Sequence, residues 1–125
     1  MEKITTYVPL VARIFIGLLF VVAGFGKLGD VAGFTGYLTS GGLPAFLAWP
    51  TIALELLGGI ALIAGFQTRI VAVLLAGFTL LAALLYHFQP ADQMQMTMFL
   101  KNLAIAGGLF LLFANGAGAV AVDKR

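Results

Sequence analysis

Four long apolar stretches decide what this chain can fold into. They cover residues 7–28, 43–66, 69–88 and 98–116. Each is long enough to cross about 30 Å of hydrocarbon at about 1.5 Å per helical residue. Every backbone amide in lipid must be paired within the protein, and none of the four stretches alternates apolar with polar residues as a barrel strand would. The sequence therefore predicts four membrane-spanning helices.

Composition narrows the class of protein further. Of 125 residues, 62% are hydrophobic and 10% are charged, which is more apolar surface than a soluble domain of this size can bury. The net charge of +2, with no basic stripe, does not indicate a nucleic-acid partner. The chain has no cysteine, which excludes disulfides, thiol redox chemistry and thiolate-held metals in this chain. No metal site is predicted, and the expected surrounding is a lipid bilayer.

The connection between the first two stretches predicts a further, shorter helix. Asp30 is a suitable N-cap, and Gly41 and Gly42 suit the other end. Four apolar side chains share one face of this helix: Val31, Phe34, Tyr37 and Leu38. We therefore predict an all-α fold, a single domain of residues 1–125. It is a four-transmembrane-helix bundle with a short amphipathic helix at the membrane interface.

Positive charges predict the orientation. The first stretch is interrupted by Arg13 and closed by Lys27, so we expect a retained membrane helix rather than a signal peptide. With four spans both termini lie on one side, and that side carries Lys3, Arg69, Lys124 and Arg125. The opposite side has Lys27 and Lys101, each near an aspartate. The positive-inside rule predicts that both termini are cytoplasmic.

Glu55 is the most informative single residue. It lies near the middle of the second stretch, where an ionised carboxylate costs at least about 2.5–3.5 kcal/mol. We expect it to face the bundle interior and to be protonated or paired. Gly58 and Gly59 lie one turn further on and permit close approach of a neighbouring helix. A functional site is one interpretation, and an ion pair that only fixes helix register is the other.

Candidate partners for Glu55 come from the other three spans. In the first span, Arg13, Gly17, Gly24 and Lys27 form one stripe, small in the middle and cationic at both ends. The outer half of the bundle also receives His87, Lys101 and Asn102, whereas Arg13 can reach Glu55 only from the inner side. Lys27 also fits a snorkelling anchor and His87 an ordinary interfacial residue. The predicted site has Glu55 as the catalytic, proton-carrying group. Its predicted ligand-binding residues are Lys27, Lys101, Asn102, His87 and Arg13.

Several motifs resemble the DoxX family of small four-helix bacterial membrane proteins. They are Arg13 with VAGFGKL (22–28), ELLGGIALIAGFQTR (55–69), KNLAIAGGLFLL (101–112) and GAGAVAVD (116–123). The resemblance implies a multi-pass protein of the bacterial inner membrane. Some members are subunits of thiosulfate:quinone oxidoreductases, and others accompany oxidative-stress or sulfur-handling proteins. The positions that match the family's polar motif are Arg13, Lys27, Glu55, Arg69, Lys101 and Asn102. Val122 stands where the family often has a serine.

Three functions are compatible with these features. The first is a quinone- or small-molecule-linked component of a membrane redox system, such as a subunit of a quinone-linked oxidoreductase. It would have a quinone as its non-covalent ligand and a redox partner protein as the electron source. The second is a small proton-coupled transporter that uses Glu55. The third is a non-catalytic scaffold for a redox assembly. The glycine-rich faces also permit a homodimer.

Overall fold

The computed structural model describes residues 2–123, and their side chains from residue 4 onward. Five α-helices follow one another: α1 (Glu2–Leu28), α2 (Val31–Ser40), α3 (Ala48–Ala64), α4 (Thr68–Ala82) and α5 (Gln93–Asn115). A 3-10 turn (Ala45–Leu47) leads into α3, and a π-helical turn (Ala83–His87) extends α4. The described residues contain no strand. The predicted all-α fold is confirmed.

Four helical segments are long and apolar enough to span a membrane: Ile4–Leu28, Ala45–Ala64, Thr68–His87 and Gln93–Asn115. Their outward faces carry large apolar side chains, including Phe15, Phe25, Leu57 and Leu111. Such continuous apolar exposure is typical of a lipid-facing surface rather than a water-facing one. The four-span architecture predicted from the sequence is therefore the observed one.

Helices α1 and α3 form one of the two closely packed helix pairs, and they approach each other at glycines. A Cβ added at Gly17 would lie 2.7 Å from the carbonyl oxygen of Gly59, and one added at Gly24 would lie 2.9 Å from the backbone nitrogen of Leu56. The two backbones therefore touch, as small-residue interfaces in membranes allow. This contact fixes the register in which Arg13 and Lys27 meet α3.

The second pair consists of α4 and α5, which pack extensively against each other. Between the two pairs lies the hydrophobic core, whose buried members are Phe20, Leu62, Ala72, Leu75, Ala76, Ala106, Leu109 and Leu112. Small alanines alternate with leucines on α4 and α5, so the helices approach closely along most of their length. Beyond this core, toward α2, the two pairs enclose a cavity.

We call the two ends of the bundle the terminal end, where α1 begins and α5 ends, and the α2 end, where α1 ends and α3 begins. At the terminal end, residues 116–123 fold back over the α3–α4 turn. The backbone nitrogen of Val122 donates to Ala64, and the carboxylate of Asp123 accepts from the backbone nitrogens of Gln67 and Thr68 at 2.7 and 2.8 Å. Asp123 thus caps the start of α4.

N-cap aspartates determine where α2 and α5 begin. Asp30 accepts from the backbone nitrogen of Gly33 at 2.9 Å and begins α2, as predicted. In contrast, α5 begins at Gln93 rather than near residue 98. Asp92 accepts from the backbone nitrogens of Met94 and Gln95 and so starts the helix inside the polar connection.

The structure also shows where some of the orientation-determining charges lie. Arg69 is in the first turn of α4, at the terminal end, whereas Lys27 and Lys101 lie toward the α2 end. Lys124 and Arg125 lie outside the described residues, as does the side chain of Lys3. The cytoplasmic position of the termini stays a prediction.

Candidate functional site

A cavity of about 450 Å³ lies at the α2 end between the two helix pairs. All five helices contribute to its wall, which is mainly apolar. Its polar and charged lining residues are Lys27, Thr51, Glu55, Thr79, His87, Lys101 and Asn102, together with the phenols Tyr37 and Tyr86. A space of this size, apolar with a few polar groups, has the character of a small-molecule site.

The charged wall of this cavity is an ion pair between α1 and α3. The Nζ atom of Lys27 lies 2.8 Å from Oε1 of Glu55. The carboxylate is only 6% exposed, whereas the lysine side chain is 26% exposed. At this distance the ammonium and carboxylate groups form an ion pair between the two helices. The buried carboxylate thus has its countercharge, as the sequence led us to expect.

Local structure explains why these two side chains meet. Glu55 lies on the buried face of α3, with Ile52 and Leu62 one turn before and two turns after it. Lys27 is in the last turn of α1, one turn beyond Gly24, where the backbones of α1 and α3 are in contact. The glycine contact therefore brings the end of α1 close enough for the ammonium group to reach the carboxylate.

The short helix α2 contributes Phe34, Tyr37 and Leu38 to the wall of the cavity. The hydroxyl of Tyr86 donates to the carbonyl oxygen of Leu38 at 2.9 Å, and the rings of Tyr37 and Tyr86 stack with centroids 4.6 Å apart. Lys27 also lies over the Phe34 ring, with Nζ 5.2 Å from its centroid. Partial burial, and secondarily the neighbouring Tyr86, raises the pKa of Tyr37, so its phenol stays protonated at neutral pH.

The π-helical turn at the end of α4 directs Tyr86 and His87 toward this region. Such turns are rare and are frequent at functional sites, because the extra residue per turn changes where side chains point. Nδ1 of His87 lies 2.7 Å from Oε1 of Gln95 in the first turns of α5. This contact joins the two helices at the rim of the cavity. The sequence contains no signal that predicts a π-helical turn here.

The wall opposite the ion pair belongs to α4 and α5. Nδ2 of Asn102 donates to the backbone carbonyl of Thr79 at 3.2 Å, and both side chains are buried. Lys101 lies at the rim and is exposed. The cavity therefore has the Lys27–Glu55 pair on the side of one helix pair, and Thr79, Asn102 and the exposed Lys101 on the side of the other.

The sequence is also similar to known membrane proteins. The DoxX family model matches residues 8–88. This chain belongs to the DoxX family. It is 44% identical over 124 residues to the inner membrane protein YqjF of Escherichia coli, a match that covers 99% of this chain and 95% of that protein. No solved structure is significantly similar to the chain.

Two further relatives widen the DoxX comparison. The inner membrane protein YphA of Escherichia coli is 35% identical over 123 residues, covering 93% of this chain and 88% of that protein. CatD of Bacillus subtilis, which is named as a candidate oxidoreductase, is 40% identical over 76 residues, covering 61% of this chain and 56% of that protein. Two relatives thus carry an inner-membrane name and one carries a redox name.

In this DoxX protein the structure brings most of the predicted site residues together. Glu55, Lys27, His87, Lys101 and Asn102 all line the one cavity. Thr79, Thr51 and Tyr37 also line it, although the sequence analysis did not propose them as site residues. Hydroxyl groups within apolar helices are common, so their spacing alone gave no signal that could have selected them.

Arg13, the sixth residue of the predicted site, lies elsewhere. It is fully buried at the terminal end, where Nη1 donates to the carbonyl oxygens of Leu62 and Ile63 at 3.1 and 2.9 Å. Nη2 donates to the carbonyl oxygen of Val120. Arg13 is not among the residues that line the cavity. It donates to backbone carbonyls at the end of α3 and in the C-terminal segment, and the carboxylate of Asp123 also attracts it.

Proposed function

We propose that this DoxX-family protein binds a quinone, or a similar small redox-active molecule, in the cavity at the α2 end. It would act as the quinone-linked component of a membrane redox system. The proposed location is the bacterial inner membrane, with both termini cytoplasmic. The single observation that carries the proposal is the pairing of Glu55 with Lys27 in the wall of an otherwise apolar cavity. A quinone has the matching properties, an apolar ring with polar oxygens.

The chemistry assigned to the pair follows from proton balance. Reduction of a quinone to a quinol takes up two electrons and two protons. The buried carboxylate of Glu55 can transfer protons to a carbonyl oxygen, and Lys27 compensates its charge when it is ionised. The electrons would come from a redox partner protein. The redox name of CatD supports this assignment, and the inner-membrane names of YqjF and YphA support the location.

Quinone retention tests the proposal directly. We expect the purified wild-type protein in lipid nanodiscs to bind menadione saturably, and Glu55→Gln to bind it about 10-fold more weakly or worse, as is typical when a central polar contact of a buried site is lost. Asp92→Asn is the matched control, because Asp92 is an exposed N-cap outside the cavity and asparagine also caps helices. Equal affinity of the Glu55→Gln and wild-type proteins would refute the role of Glu55.

Separate experiments distinguish the alternative functions. Proton flux driven by a solute across liposomes, without quinone binding, would favour the proton-coupled transporter instead. A folded Glu55→Ala variant with an unchanged cellular phenotype would favour the scaffold. The homodimer stays a prediction that cross-linking in the membrane would test.

Orientation is tested in intact cells. Because the chain has no cysteine, single cysteines can be introduced at Glu2 and at Thr39, which is exposed on α2. We expect a membrane-impermeant thiol reagent to label Thr39→Cys from outside, and Glu2→Cys only after the membrane is opened. The reverse pattern would place the cavity at the cytoplasmic side.

A further inference from the structure

A further cavity lies between α3 and α4, on the terminal-end side of the one already described. It is a groove of about 460 Å³ that reaches the turn joining the two helices. Three of its lining residues, Leu57, Phe66 and Leu74, are exposed, so the groove is open toward the lipid. We call it the α3–α4 groove, and its lining is apolar apart from Gln67: Ala53, Leu54, Leu57, Gly58, Ala61, Phe66, Gln67, Val71 and Leu74.

On α3 the groove continues the face that lines the cavity at the α2 end. Thr51 lines that cavity. Leu54, Gly58 and Ala61 follow it at steps of three or four residues, and all three line the groove. Residues at this spacing lie one above another on a single helix face. The row therefore passes from the cavity into the groove within one helical turn.

On α4, which is antiparallel to α3, the same succession appears in reverse. Leu81 and Phe78 line the cavity, and the next positions of the row, Leu74 and Val71, line the groove. Leu81 is exposed as well, so the cavity reaches the lipid-facing surface beside α4. The two helices also contact each other less extensively than α1 contacts α3 or α4 contacts α5. Cavity and groove thus lie end to end along a loosely packed seam.

We infer that the α3–α4 groove binds the apolar chain of a quinone whose ring lies in the cavity. The inference rests on the proposed function and narrows its substrate class to quinones that carry an isoprenoid or alkyl chain. Because the groove continues the cavity along both helices, one ligand can occupy the two. The row from Leu54 to Ala61 is about 10 Å long, which suits a chain of a few isoprene units. Gly58 and Ala61 have small side chains and leave the groove its depth.

The binding test compares two ligands and three proteins by isothermal titration calorimetry in lipid nanodiscs. The ligands are menadione, which has no chain, and its 3-geranyl derivative, which carries two isoprene units. The proteins are the wild type, Ala61→Phe, which fills the groove, and Ala104→Phe, which makes the same change at an exposed position of α5 that lines neither space. Each variant is compared with the wild type for the same ligand, so the partition of the chain into lipid cancels.

We expect Ala61→Phe to weaken binding of the geranyl derivative about 3- to 10-fold, because the dispersion contacts it removes are individually small in lipid. Menadione should bind Ala61→Phe within about two-fold of the wild type, which also shows that this variant is folded. Ala104→Phe should leave both affinities within about two-fold of the wild type, because it changes neither the groove nor the cavity. This pattern would support the inference.

Other binding results would overturn the inference in distinguishable ways. If the wild type binds menadione and Ala61→Phe weakens both ligands equally, or neither, the groove does not bind the chain, while the proposed function stands. If Ala104→Phe weakens binding of the geranyl derivative as much as Ala61→Phe, the effect is not specific to the groove. If the wild type binds neither compound, the proposed function fails and the role of the groove fails with it.

Photo-labelling of the wild type gives a second measurement that does not depend on the folding of a variant. The geranyl derivative carries a diazirine at the end of its chain, and mass spectrometry locates the modified residues. We expect modification of groove residues such as Leu57 or Leu74, and we expect excess menadione to prevent it, because ring and chain belong to one ligand. Modification confined to α1 or α5 would overturn the inference. So would groove modification that persists in excess menadione, because the groove would then bind apolar chains independently of the cavity, as it would a lipid acyl chain.

Discussion

Both ends of the bundle hold a cation from α1 against α3, but the surroundings of the two cations differ. At the terminal end, the guanidinium of Arg13 donates to backbone carbonyls of α3 and of the C-terminal segment. At the α2 end, the ammonium of Lys27 pairs with the carboxylate of Glu55. The carboxylate of Asp123, which also attracts Arg13, already accepts from the backbone nitrogens of Gln67 and Thr68, whereas the carboxylate of Glu55 lines a cavity. The first arrangement fixes the fold, and the second leaves a group that can do chemistry.

The packing around the two cations also differs: it is dense at the terminal end and leaves a cavity at the α2 end. At the terminal end the C-terminal segment fills the gap, and Ala117 is fully buried there. A Cβ on Gly118 would lie 2.7 Å from the Cβ of Pro9, so even one additional methyl group is poorly accommodated. At the α2 end the helices enclose about 450 Å³. Dense packing at one end therefore holds the helices while the other end keeps room for a ligand.

The largest expected effect comes from removing Arg13. Arg13→Met removes the side-chain donor of three carbonyl groups at the terminal end, and we expect a loss of roughly 3–5 kcal/mol in the free energy of unfolding. Thermal unfolding in detergent micelles measures it. Arg69→Met is the control at the same end, since Arg69 is half-buried and should lose less than about 1 kcal/mol. Equal losses in the two variants would contradict a specific role for Arg13.

The next largest effect is a difference in stability between variants that remove one or the other partner of the ion pair. Lys27→Met leaves a carboxylate that is 6% exposed without its countercharge, whereas Glu55→Gln leaves a lysine that is 26% exposed and can extend toward the membrane surface. We therefore expect Lys27→Met to lose roughly 2–4 kcal/mol and Glu55→Gln less than half of that. Equilibrium unfolding in mixed micelles compares the two.

A double variant shows whether the pair serves stability or function. In Lys27→Met/Glu55→Leu both charges are gone, so stability should return to the wild-type value or above it. Ligand binding should stay lost, because the Lys27–Glu55 pair is absent. If binding also returns, the pair only connects α1 to α3, and the comparison between the two ends of the bundle loses its functional meaning.

The sequence predicted the α2 end better than the terminal end, for a physical reason. The spacing of Arg13, Gly17, Gly24 and Lys27 follows helical periodicity, so the face that meets α3 could be read from it. A carboxylate among aliphatic residues also has few ways to be satisfied in lipid, so Glu55 had to face inward. These arguments depend only on local helix geometry and on the cost of burying charge.

What the sequence could not provide depends on long-range contacts or on backbone groups. Arg13 meets Val120, 107 residues away, through a carbonyl that every residue has, and the C-terminal segment shows no periodicity that would predict its course. The place of Thr79 in the cavity lining depends on how the two helix pairs pack, which its position in the sequence does not show. The early start of α5 depends on Asp92, a single cap that outweighs the polar composition of the turns after it.

A smaller effect is expected where Tyr86 packs against the end of α2. A Cβ added at Gly41 overlaps the ring of Tyr86, whereas one added at Gly36 meets nothing within 4 Å. We expect Gly41→Ala to displace the ring and to cost about 1–3 kcal/mol, as overpacking does. Gly36→Ala, in the interior of α2, should be neutral or stabilising by up to about 1 kcal/mol. Thermal unfolding of both variants checks this, and an equal response would show that Tyr86 does not hold α2 in place.

The smallest effect is expected from removing the single hydrogen bond between Tyr86 and α2. Tyr86→Phe removes the bond to the Leu38 carbonyl and keeps the ring that stacks on Tyr37, so we expect a loss of about 0.5–1 kcal/mol. Amide exchange in α2 should become faster by about two- to five-fold, while exchange at the terminal end stays unchanged. Tyr37→Phe is the matched control, because it also keeps the stacked pair and removes a hydroxyl that has no partner in the described part of the chain. If Tyr86→Phe leaves exchange in α2 unchanged, ring stacking rather than the hydrogen bond holds this helix. If Tyr37→Phe speeds exchange equally, the effect is not specific to the bond between Tyr86 and Leu38.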